Sequence, residues 1–330
     1  MRLRPVGDAA LTCELGESAG AGARARARSL GRSLLEQALP GQRECVPAAT
    51  SVLVVFDPLR TTATQLGNEL RGRLERPTPE AAGRRHEVPV VYGGADGPDL
   101  AEVATRLGIP PAEVVRLHGS AEYEVEMLGF MPGFAYLGPL PAALELPRRA
   151  TPRTRLPRGS IAIAGRQTGI YPAASPGGWH VLGRTGVALF DPARRPPALL
   201  QPGDRVRFRA SPTLAPILPA SVAATAPSDP AVEVLEPGLL TTVQDLGRFG
   251  WRSQGVAWAG ALDPGALAQA NAVLGNAPGA AGLEITLQGP RLVFLRALRF
   301  ALAGADLSAV LERSDLGAWP VPRGLPVQAR

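Results

Sequence analysis

The sequence contains no lysine, so all 35 of its Lys-or-Arg residues are arginine. This absence excludes a Walker A phosphate loop, because the lysine of that loop reaches the phosphates of the bound nucleotide. It also excludes Schiff-base catalysis on a lysine of this chain. Biotin cannot be attached to this chain either, since its attachment needs a lysine side chain. Several classes of mechanism are therefore ruled out before any motif is considered.

Cysteine and histidine are scarce. Two cysteines, Cys13 and Cys45, are too few for a disulfide framework. The histidines at 86, 118 and 180 lie far apart and show no metal-ligand spacing, so we expect no metal site.

Long apolar segments are also lacking. The N-terminus has no continuous apolar core of the kind found in signal peptides. The longest apolar run, residues 51–56, is too short to span a membrane. We therefore expect a soluble cytoplasmic protein without a membrane partner. Aromatic residues are only 5% of the chain and the arginines are scattered, which argues against a nucleic-acid partner.

Glycine and proline are abundant, at 38 and 34 residues, and predict a fold rich in β-strands and turns. Residues 1–85 read β-α-β-β-α, with strands at 8–15 and 51–56 and helices at 22–38 and 61–74, which predicts a small α/β domain of ferredoxin-like layout. The expected buried face of the first helix comprises Ala23, Ala27, Leu30, Leu34 and Leu35. The stripe Arg24, Arg28 and Arg32 is interpreted as its solvent face.

Residues 86–210 begin with a strand and two short helical segments and continue as a compact β-barrel. Residues 211–230 are rich in proline, alanine and serine, which predicts a linker. A further unit starts at 231 and runs to 330, where it reads as interrupted, as a fragment would. Within it, Asp263 as N-cap and Gly275 after the last turn predict one helix.

Two short glycine motifs near the N-terminus are interpreted as structural. The G-x-S-x-G match at 16–20 has too little preceding sheet for a nucleophile elbow. The G-x-G-x-x-A match at 20–25 lies 37 residues before Asp57, against the ~20 expected for a ribose-binding acid.

Loops between 118 and 180 hold the most chemically distinctive side chains. Glycine and proline in GFMPGF would let backbone N–H groups approach a ligand, between aromatic walls. The candidate binding residues here are Tyr123, Phe130, Pro132, Gly133 and Phe134, followed by Gly177, Gly178 and Trp179. His118 is the candidate for proton transfer, although a buried structural histidine is the alternative.

An arginine-rich loop, the Gln167 amide and the Tyr171 phenol are further candidates for ligand binding. Five arginines between 147 and 159 offer planar forks for carboxylate or phosphate, or else form a solvated loop. Gln167 and Tyr171 suit recognition of a small polar amide over an apolar wall.

Several ordered motifs resemble one known family. The segments YEVEMLGFMPGFAYLGPLP, PRGSIAIAGRQTGIYP, SPGGWHVLGRT and PGDRVRF resemble the allophanate hydrolase subunit 1 family, which includes the B subunit of 5-oxoprolinase and the sporulation kinase A inhibitor. The segments EPGLLTTVQDLGRFGWRSQGV, AQANAVLGN and LEITLQGP resemble the start of the subunit 2 family, which includes the C subunit of 5-oxoprolinase.

The resemblance implies a cyclophilin-like barrel behind the N-terminal domain, followed by part of a second cyclophilin-like domain. It implies a hydrolase component that acts with a separate A subunit to convert 5-oxo-L-proline to L-glutamate at the expense of ATP, with Mg²⁺ at the complex. Catalytic roles then fall to His118, Arg153, Gln167 and Tyr171, with Arg153 or Arg155 stabilising phosphate charge. The polar residues of the second motif set are Gln244, Asp245, Arg248, Asp263 and Asn271.

Two alternatives stay open. A urea- or allophanate-type amidolyase component would need a biotin carried by a partner, since this chain has no lysine. A histidine-kinase inhibitor would show an exposed apolar patch and would need no A subunit of an oxoprolinase.

Overall fold

The structure is a computed structural model that describes residues 1–16, 20–76, 83–216 and 229–329. The chain divides into two compact units, the first comprising Met1–Ala220 with Gly250–Ala257 and the second Ser221–Phe249 with Trp258–Arg330. Most of the predicted linker, and residues 17–19 of the G-x-S-x-G match, lie outside the described residues. The boundary predicted between residues 85 and 86 stays a prediction.

None of the helices in the described part of the chain has the length and hydrophobicity needed to cross a bilayer.

The first unit begins with a four-stranded antiparallel sheet in the order β1-β2-β4-β3, with two helices. Its elements are β1 (Arg2–Pro5), β2 (Ala10–Glu14), α1 (Ala21–Glu36), β3 (Gln42–Pro47), β4 (Ser51–Phe56) and α2 (Ala63–Glu75). The β-α-β-β-α prediction missed β1, because this edge strand is mostly exposed and carries no alternation of apolar residues. The mixed α/β layout is as expected, while the ferredoxin-like assignment stays a prediction.

The core of this sheet layer lies between the strands and one face of each helix. Of the five residues predicted on the buried face of α1, four are buried, but the Leu35 side chain points outward and is 52% exposed. Helix α2 begins with a capping box between Thr62 and Gln65, within one residue of the predicted start at 61. Cys13 and Cys45 are free and buried, and burial raises the pKa of their thiols to about 11 and about 12.

The rest of the first unit is a closed seven-stranded barrel in the order β10-β7-β6-β13-β5-β12-β9. Strands β5 and β13 pair in parallel, and the other barrel pairs are antiparallel. Its elements are β5 (Arg85–Tyr92), α3 (Leu100–Leu107), α4 (Pro111–Ser120), β6 (Tyr123–Leu128), β7 (Ala135–Gly138), β8 (Arg153–Leu156), β9 (Ser160–Ala164), β10 (Gln167–Ile170), β11 (Ser175–Gly177), β12 (His180–Arg184) and β13 (Arg205–Ala210). Strands β8 and β11 form a separate pair. The predicted β-barrel over 86–210 is therefore present.

The second unit consists of one helix and four two-stranded antiparallel ladders, β14–β17, β15–β16, β18–β21 and β19–β20, within its described residues. Its elements are β14 (Val232–Glu236), β15 (Leu240–Gln244), α5 (Pro264–Leu274), β16 (Gly282–Thr286), β17 (Arg291–Phe294), β18 (Leu298–Ala301), β19 (Val310–Arg313), β20 (Gly317–Pro320) and β21 (Pro326–Ala329). Helix α5 confirms the predicted caps: Asp263 Oδ1 accepts from Ala266 N–H, and Gly275 has a φ of 78°.

Candidate functional site

A cleft of about 390 Å³ in the first unit lies beside the hairpin that joins β9 to β10. Its polar and aromatic lining comprises Arg24, Glu126, Arg148, Arg166, Gln167 and Trp179. The volume is within the range of small-molecule sites, which is about 300–1,000 Å³. Three guanidinium groups, one carboxylate, one amide and one indole therefore surround a space of ligand size.

Glu126 lines the cleft from strand β6. Tyr123 and Val125 pack in the barrel core, so alternation places Glu124 and Glu126 on the opposite face of the strand. The pairing of β6 with β7 shifts register between Val125 and Met127, just beyond this pair. The Glu126 carboxylate is 9% exposed and lies beside Gln167 and Arg24.

Two arginines of α1 face two glutamates of β6. Arg28 bonds to Glu124, and Arg24 Nη1 lies 3.8 Å from Glu126 Oε1. The spacings match, because four residues of helix rise about 6 Å and two residues of strand about 6.6 Å. The interpretation of Arg24 and Arg28 as a solvent-facing stripe is wrong: their side chains are only 19% and 11% exposed, because β6 supplies acidic partners.

The β9–β10 hairpin places Gln167 opposite Glu126. Gln167 pairs with Ala164 across a two-residue turn, in which Gly165 has a φ of 55° and Arg166 is exposed. Gln167 Nε2 donates to Glu126 Oε2 at 2.8 Å. This bond uses one N–H of Gln167 Nε2 and one oxygen of Glu126, which leaves the second N–H of the amide and the other carboxylate oxygen able to face a ligand.

Aromatic residues form one wall of the site. Trp179 lines the cleft and packs edge-on against Phe134 and Tyr136, with ring centroids 5.9 and 6.0 Å away. Tyr171 and Phe130 extend the cluster through Phe134. Burial raises the pKa of Tyr171 to about 12, against the lowering effect of Arg148, so its phenol stays protonated at neutral pH.

The structure thus brings together many of the residues selected from sequence. Gln167 and Trp179 line the cleft, with Phe130, Phe134 and Tyr171 in the aromatic cluster beside it. Gly177 lies against the ring of Tyr171, where an added Cβ would stand 2.6 Å from the hydroxyl. Gly178 precedes Trp179, while Pro132 and Gly133 belong to the loop that carries Phe130.

His118 and Tyr123 lie elsewhere, in the barrel core. His118 is fully buried; its Nε2 lies 3.0 Å from Thr168 Oγ1 and its Nδ1 lies 2.7 Å from the Tyr92 hydroxyl. Burial lowers the pKa of His118 to about 3, so the imidazole is neutral at neutral pH. Tyr123 donates its O–H to the His118 carbonyl. This placement corresponds to the structural alternative for His118 and gives no support to proton transfer.

Arg153 is held in a buried ion-pair network around Asp99. Its guanidinium bonds to both Asp99 oxygens, at 2.7 and 2.5 Å, and Arg149 Nη1 bonds to Asp99 Oδ1 at 2.9 Å. Val181 N–H also donates to Asp99, at 2.7 Å. These contacts give Arg153 a structural role, because its guanidinium is bonded to a buried carboxylate. Arg148, from the same arginine-rich loop, is the member that reaches the cleft.

The candidates of the second unit have local roles within it. Asp245 Oδ1 accepts from Gly247 N–H, Gln244 donates to Thr242, and the Arg248 backbone N–H donates to the Trp258 carbonyl. Asn271 is buried and donates to the carbonyls of Pro278 and Ala280, which holds the chain after α5. Asp263 is the N-cap of that helix.

Sequence reasoning missed Arg24, Glu126 and Arg166 as residues of the cleft, and it included Arg148 only as one of the five arginines of its loop. The only available signal for two of them was the match between arginines four apart at 24 and 28 and glutamates two apart at 124 and 126. Chemically, the arginines suit a carboxylate or phosphate, while the Glu126–Gln167 pair suits a neutral amide with one donor and one acceptor.

Two regions of the chain match family models of the carboxyltransferase domain. The carboxyltransferase-domain model for subdomain C and D matches residues 1–200, and that for subdomain A and B matches residues 254–328. The chain is 45% identical over 204 residues to the B subunit of 5-oxoprolinase from Escherichia coli O157:H7, covering 62% of this chain and 93% of that protein.

The C-terminal part has its own relatives. It is 42% identical over 98 residues to the C subunit of 5-oxoprolinase from Escherichia coli strain K12, covering 30% of this chain and 31% of that protein. The crystal structure of TTHA0988 superposes with a TM-score of 0.74 at 39% identity, covering 98% of this chain and 65% of that one. The chain thus spans under a third of that C-subunit relative and just under two thirds of that solved structure.

Proposed function

The chain belongs to the carboxyltransferase-domain family, subdomain C and D, and from this premise we propose that it is a component of an ATP-dependent 5-oxoprolinase. In this proposal it converts 5-oxo-L-proline to L-glutamate only in complex with a separate A subunit. Its two matched regions resemble the B and C subunits of 5-oxoprolinases, which supports a role in the same reaction. The observation that carries the proposal is the hydrogen-bonded Glu126–Gln167 pair in an arginine-lined cleft.

The cleft offers a complementary group for each polar part of 5-oxo-L-proline. In our proposal the substrate carboxylate pairs with Arg148 or Arg166, which line the cleft. The lactam N–H donates to Glu126, and the lactam carbonyl accepts from Gln167. The apolar ring carbons pack on Trp179, which is 5% exposed and lies against other aromatic rings.

A lactam is resistant to direct attack by water because resonance stabilises its C–N bond. Transfer of the γ-phosphoryl group of ATP to the lactam oxygen, with ADP leaving, makes the ring carbon electrophilic. Water then adds to that carbon, the ring C–N bond breaks to free the amine, and a second water releases phosphate to give L-glutamate. ATP and its Mg²⁺ belong to the complex, and the guanidinium groups of the cleft fit an anionic intermediate.

In this scheme the residues of the chain bind and orient the lactam. Glu126 and Gln167 hold its N–H and C=O in one plane, so the oxygen is presented in a fixed direction. Tyr171 supports the aromatic wall as a protonated phenol, since burial raises its pKa to about 12. No step requires His118, which is buried away from the cleft.

The test is ATP-dependent release of glutamate from 5-oxo-L-proline by the full chain mixed with a candidate A subunit. Gln167→Ala and Glu126→Gln should each lower kcat/KM by about 10- to 100-fold, the worth of one charge-assisted hydrogen bond. The matched control is Glu113→Gln, because Glu113 is a helix-surface carboxylate whose ion-pair partner is Arg116, one turn away on the same helix.

Unchanged turnover in Gln167→Ala and Tyr171→Phe would show that the site is elsewhere. The contrary outcome is a folded, associated complex that is inactive on 5-oxo-L-proline but active on urea or allophanate with a biotinylated partner. That result would make urea or allophanate the substrate in place of 5-oxo-L-proline.

A further inference from the structure

A short segment from the C-terminal half of the sequence belongs to the first unit. Residues Gly250–Ala257 cluster with Met1–Ala220, whereas the residues on either side of them belong to the second unit. The subdomain A and B match begins at residue 254, inside this segment. Part of the sequence that resembles the C subunit of 5-oxoprolinase is therefore built into the unit that resembles the B subunit.

The segment is anchored by directional polar contacts. Gln254 and Gln201 exchange two side-chain hydrogen bonds, at 2.9 and 3.1 Å. Gly250 N–H donates to the buried carboxylate of Glu44, and Arg252 Nη1 lies 3.8 Å from the same carboxylate. Reciprocal amide pairs and charge-assisted bonds fix position as well as contribute energy.

The segment also contacts the loop that carries Phe130. The Gln254 carbonyl accepts from Gly133 N–H at 3.2 Å. Gly255 approaches Met131 so closely that an added Cβ would stand 2.7 Å from the Met131 carbonyl oxygen. The loop is therefore held from one side by backbone atoms of residues 254 and 255.

The Phe130 loop has a conformation that needs such support. Phe130 has a φ of 69°, and Met131 N–H donates to the Gly129 carbonyl across it, which defines a tight three-residue turn. A bulky residue with positive φ is strained and persists only where its surroundings hold it. The Phe130 ring is nevertheless 62% exposed, while its edge contacts Phe134 and Tyr171 of the aromatic wall.

We propose that residues 250–257 form a positioning segment that holds the Phe130 turn in its strained conformation and thereby sets the affinity of the cleft for its lactam. The inference rests on the proposed function for the identity of the ligand. The path from the segment to the cleft is continuous: Gly255 abuts Met131, the turn presents Phe130, and Phe134 contacts the cleft residue Trp179. Gln254 and Gly255 are positioning residues in this sense, because neither lines the cleft.

The test compares Gly255→Ala with Gly250→Ala in the full chain. Both glycines have positive φ, 76° and 85°, so both substitutions carry the same backbone strain. Only at 255 does the new Cβ meet the Phe130 loop, since nothing lies within 4 Å of a Cβ at 250. The difference between the two variants isolates the contact.

The first readout is amide hydrogen exchange of residues 129–134, which needs no substrate. In Gly255→Ala we expect these amides to exchange about tenfold faster than in Gly250→Ala, the scale of a lost backbone restraint. The second readout is the steady-state rate with 5-oxo-L-proline, ATP and the candidate A subunit. We expect KM for the lactam to rise about tenfold with kcat within about twofold, because the lost positioning contributes equally to binding of the substrate and of the transition state.

A second variant, Gln254→Ala, removes the amide pair with Gln201 without adding atoms, and should produce the same two effects if Gly255→Ala does not fold. Equal exchange in Gly255→Ala and Gly250→Ala would overturn the positioning role, and so would faster exchange with an unchanged KM. If the wild-type complex releases no glutamate, the proposed function is wrong. Amide hydrogen exchange of residues 129–134 then still tests whether the segment restrains the Phe130 turn.

Discussion

Replacing Asp99 with asparagine tests a charge network of the first unit that is built around a buried carboxylate. The Asp99 carboxylate is 2% exposed and accepts hydrogen bonds from Arg153, Arg149 and the Val181 N–H. Asparagine keeps the shape but removes the charge and turns one acceptor into a donor that faces two guanidinium groups. The two arginines then lose their common counter-ion.

The expected cost follows from the burial of each partner. Removing one member of a fully buried ion pair costs about 3–5 kcal/mol. The Arg149 and Arg153 side chains are 23% and 29% exposed, so water partly replaces the lost carboxylate. We therefore expect a loss of about 2–3 kcal/mol in the free energy of unfolding, or ~5–10 °C in Tm for a unit of this size.

The pH dependence of this loss has a definite sign. Burial by itself raises the pKa of Asp99, but hydrogen bonds from Arg153 and the Val181 N–H and the charges of both arginines outweigh it, so the pKa is lowered. A lowered pKa stabilises the fold above the unfolded value of about 3.9 and ceases to do so as pH falls through the folded value. The gap between wild type and Asp99→Asn should therefore be full at pH 7 and close below about pH 4.

Urea denaturation at several pH values measures this gap. Glu113→Gln is the control, because the Glu113–Arg116 pair is exposed to solvent, which screens its contribution to stability. A loss below about 1 kcal/mol at pH 7, or a gap that widens on acidification, would refute the account of the network.

Three other outcomes are expected. Because His118 is neutral in the fold with a pKa of about 3, but titrates near 6.5 when unfolded, its burial should cost up to about 1.4 kcal/mol of stability per pH unit as pH falls below ~6.5; His118→Gln should flatten that slope in urea titrations. Gly138→Ala should raise KM for 5-oxo-L-proline about fivefold, since its Cβ would lie 2.7 Å from Glu126 Oε1; an unchanged KM would contradict this. Leu34→Ala should cost about 2–5 kcal/mol in thermal or urea unfolding, whereas the neighbouring Leu35→Ala should cost less than about 0.5 kcal/mol, because that side chain is 52% exposed.

The features that could be predicted from the sequence are those set by residues close together in the chain. The caps of α5 at Asp263 and Gly275, the start of α2 at Thr62 and the β-rich barrel were all readable, because each depends on residues near in sequence. Gln167 and Trp179 were found because turns rich in glycine and proline bring loop ends together.

The remaining features depend on partners distant in sequence. Alternation in β6 places Glu124 and Glu126 on one outward face, but whether helix α1 and the cleft cover that face depends on residues distant in sequence. Arg24 faces inward because β6 offers it a carboxylate from a distant part of the sequence. No sequence pattern in residues 250–257 indicates that they belong to the first unit, because this placement depends on tertiary contacts.

The burial of both cysteines makes the chain convenient for site-specific chemistry. A thiol reacts as its thiolate, and the pKa values of Cys13 and Cys45 are raised to about 11 and about 12, so neither competes for a maleimide at neutral pH. A cysteine introduced at Leu59, which is 95% exposed, becomes the reactive thiol of the first unit, and one at Leu262, which is 92% exposed, serves the second. A dye pair on these two positions reports the separation of the two units in solution, with no native cysteine to be removed.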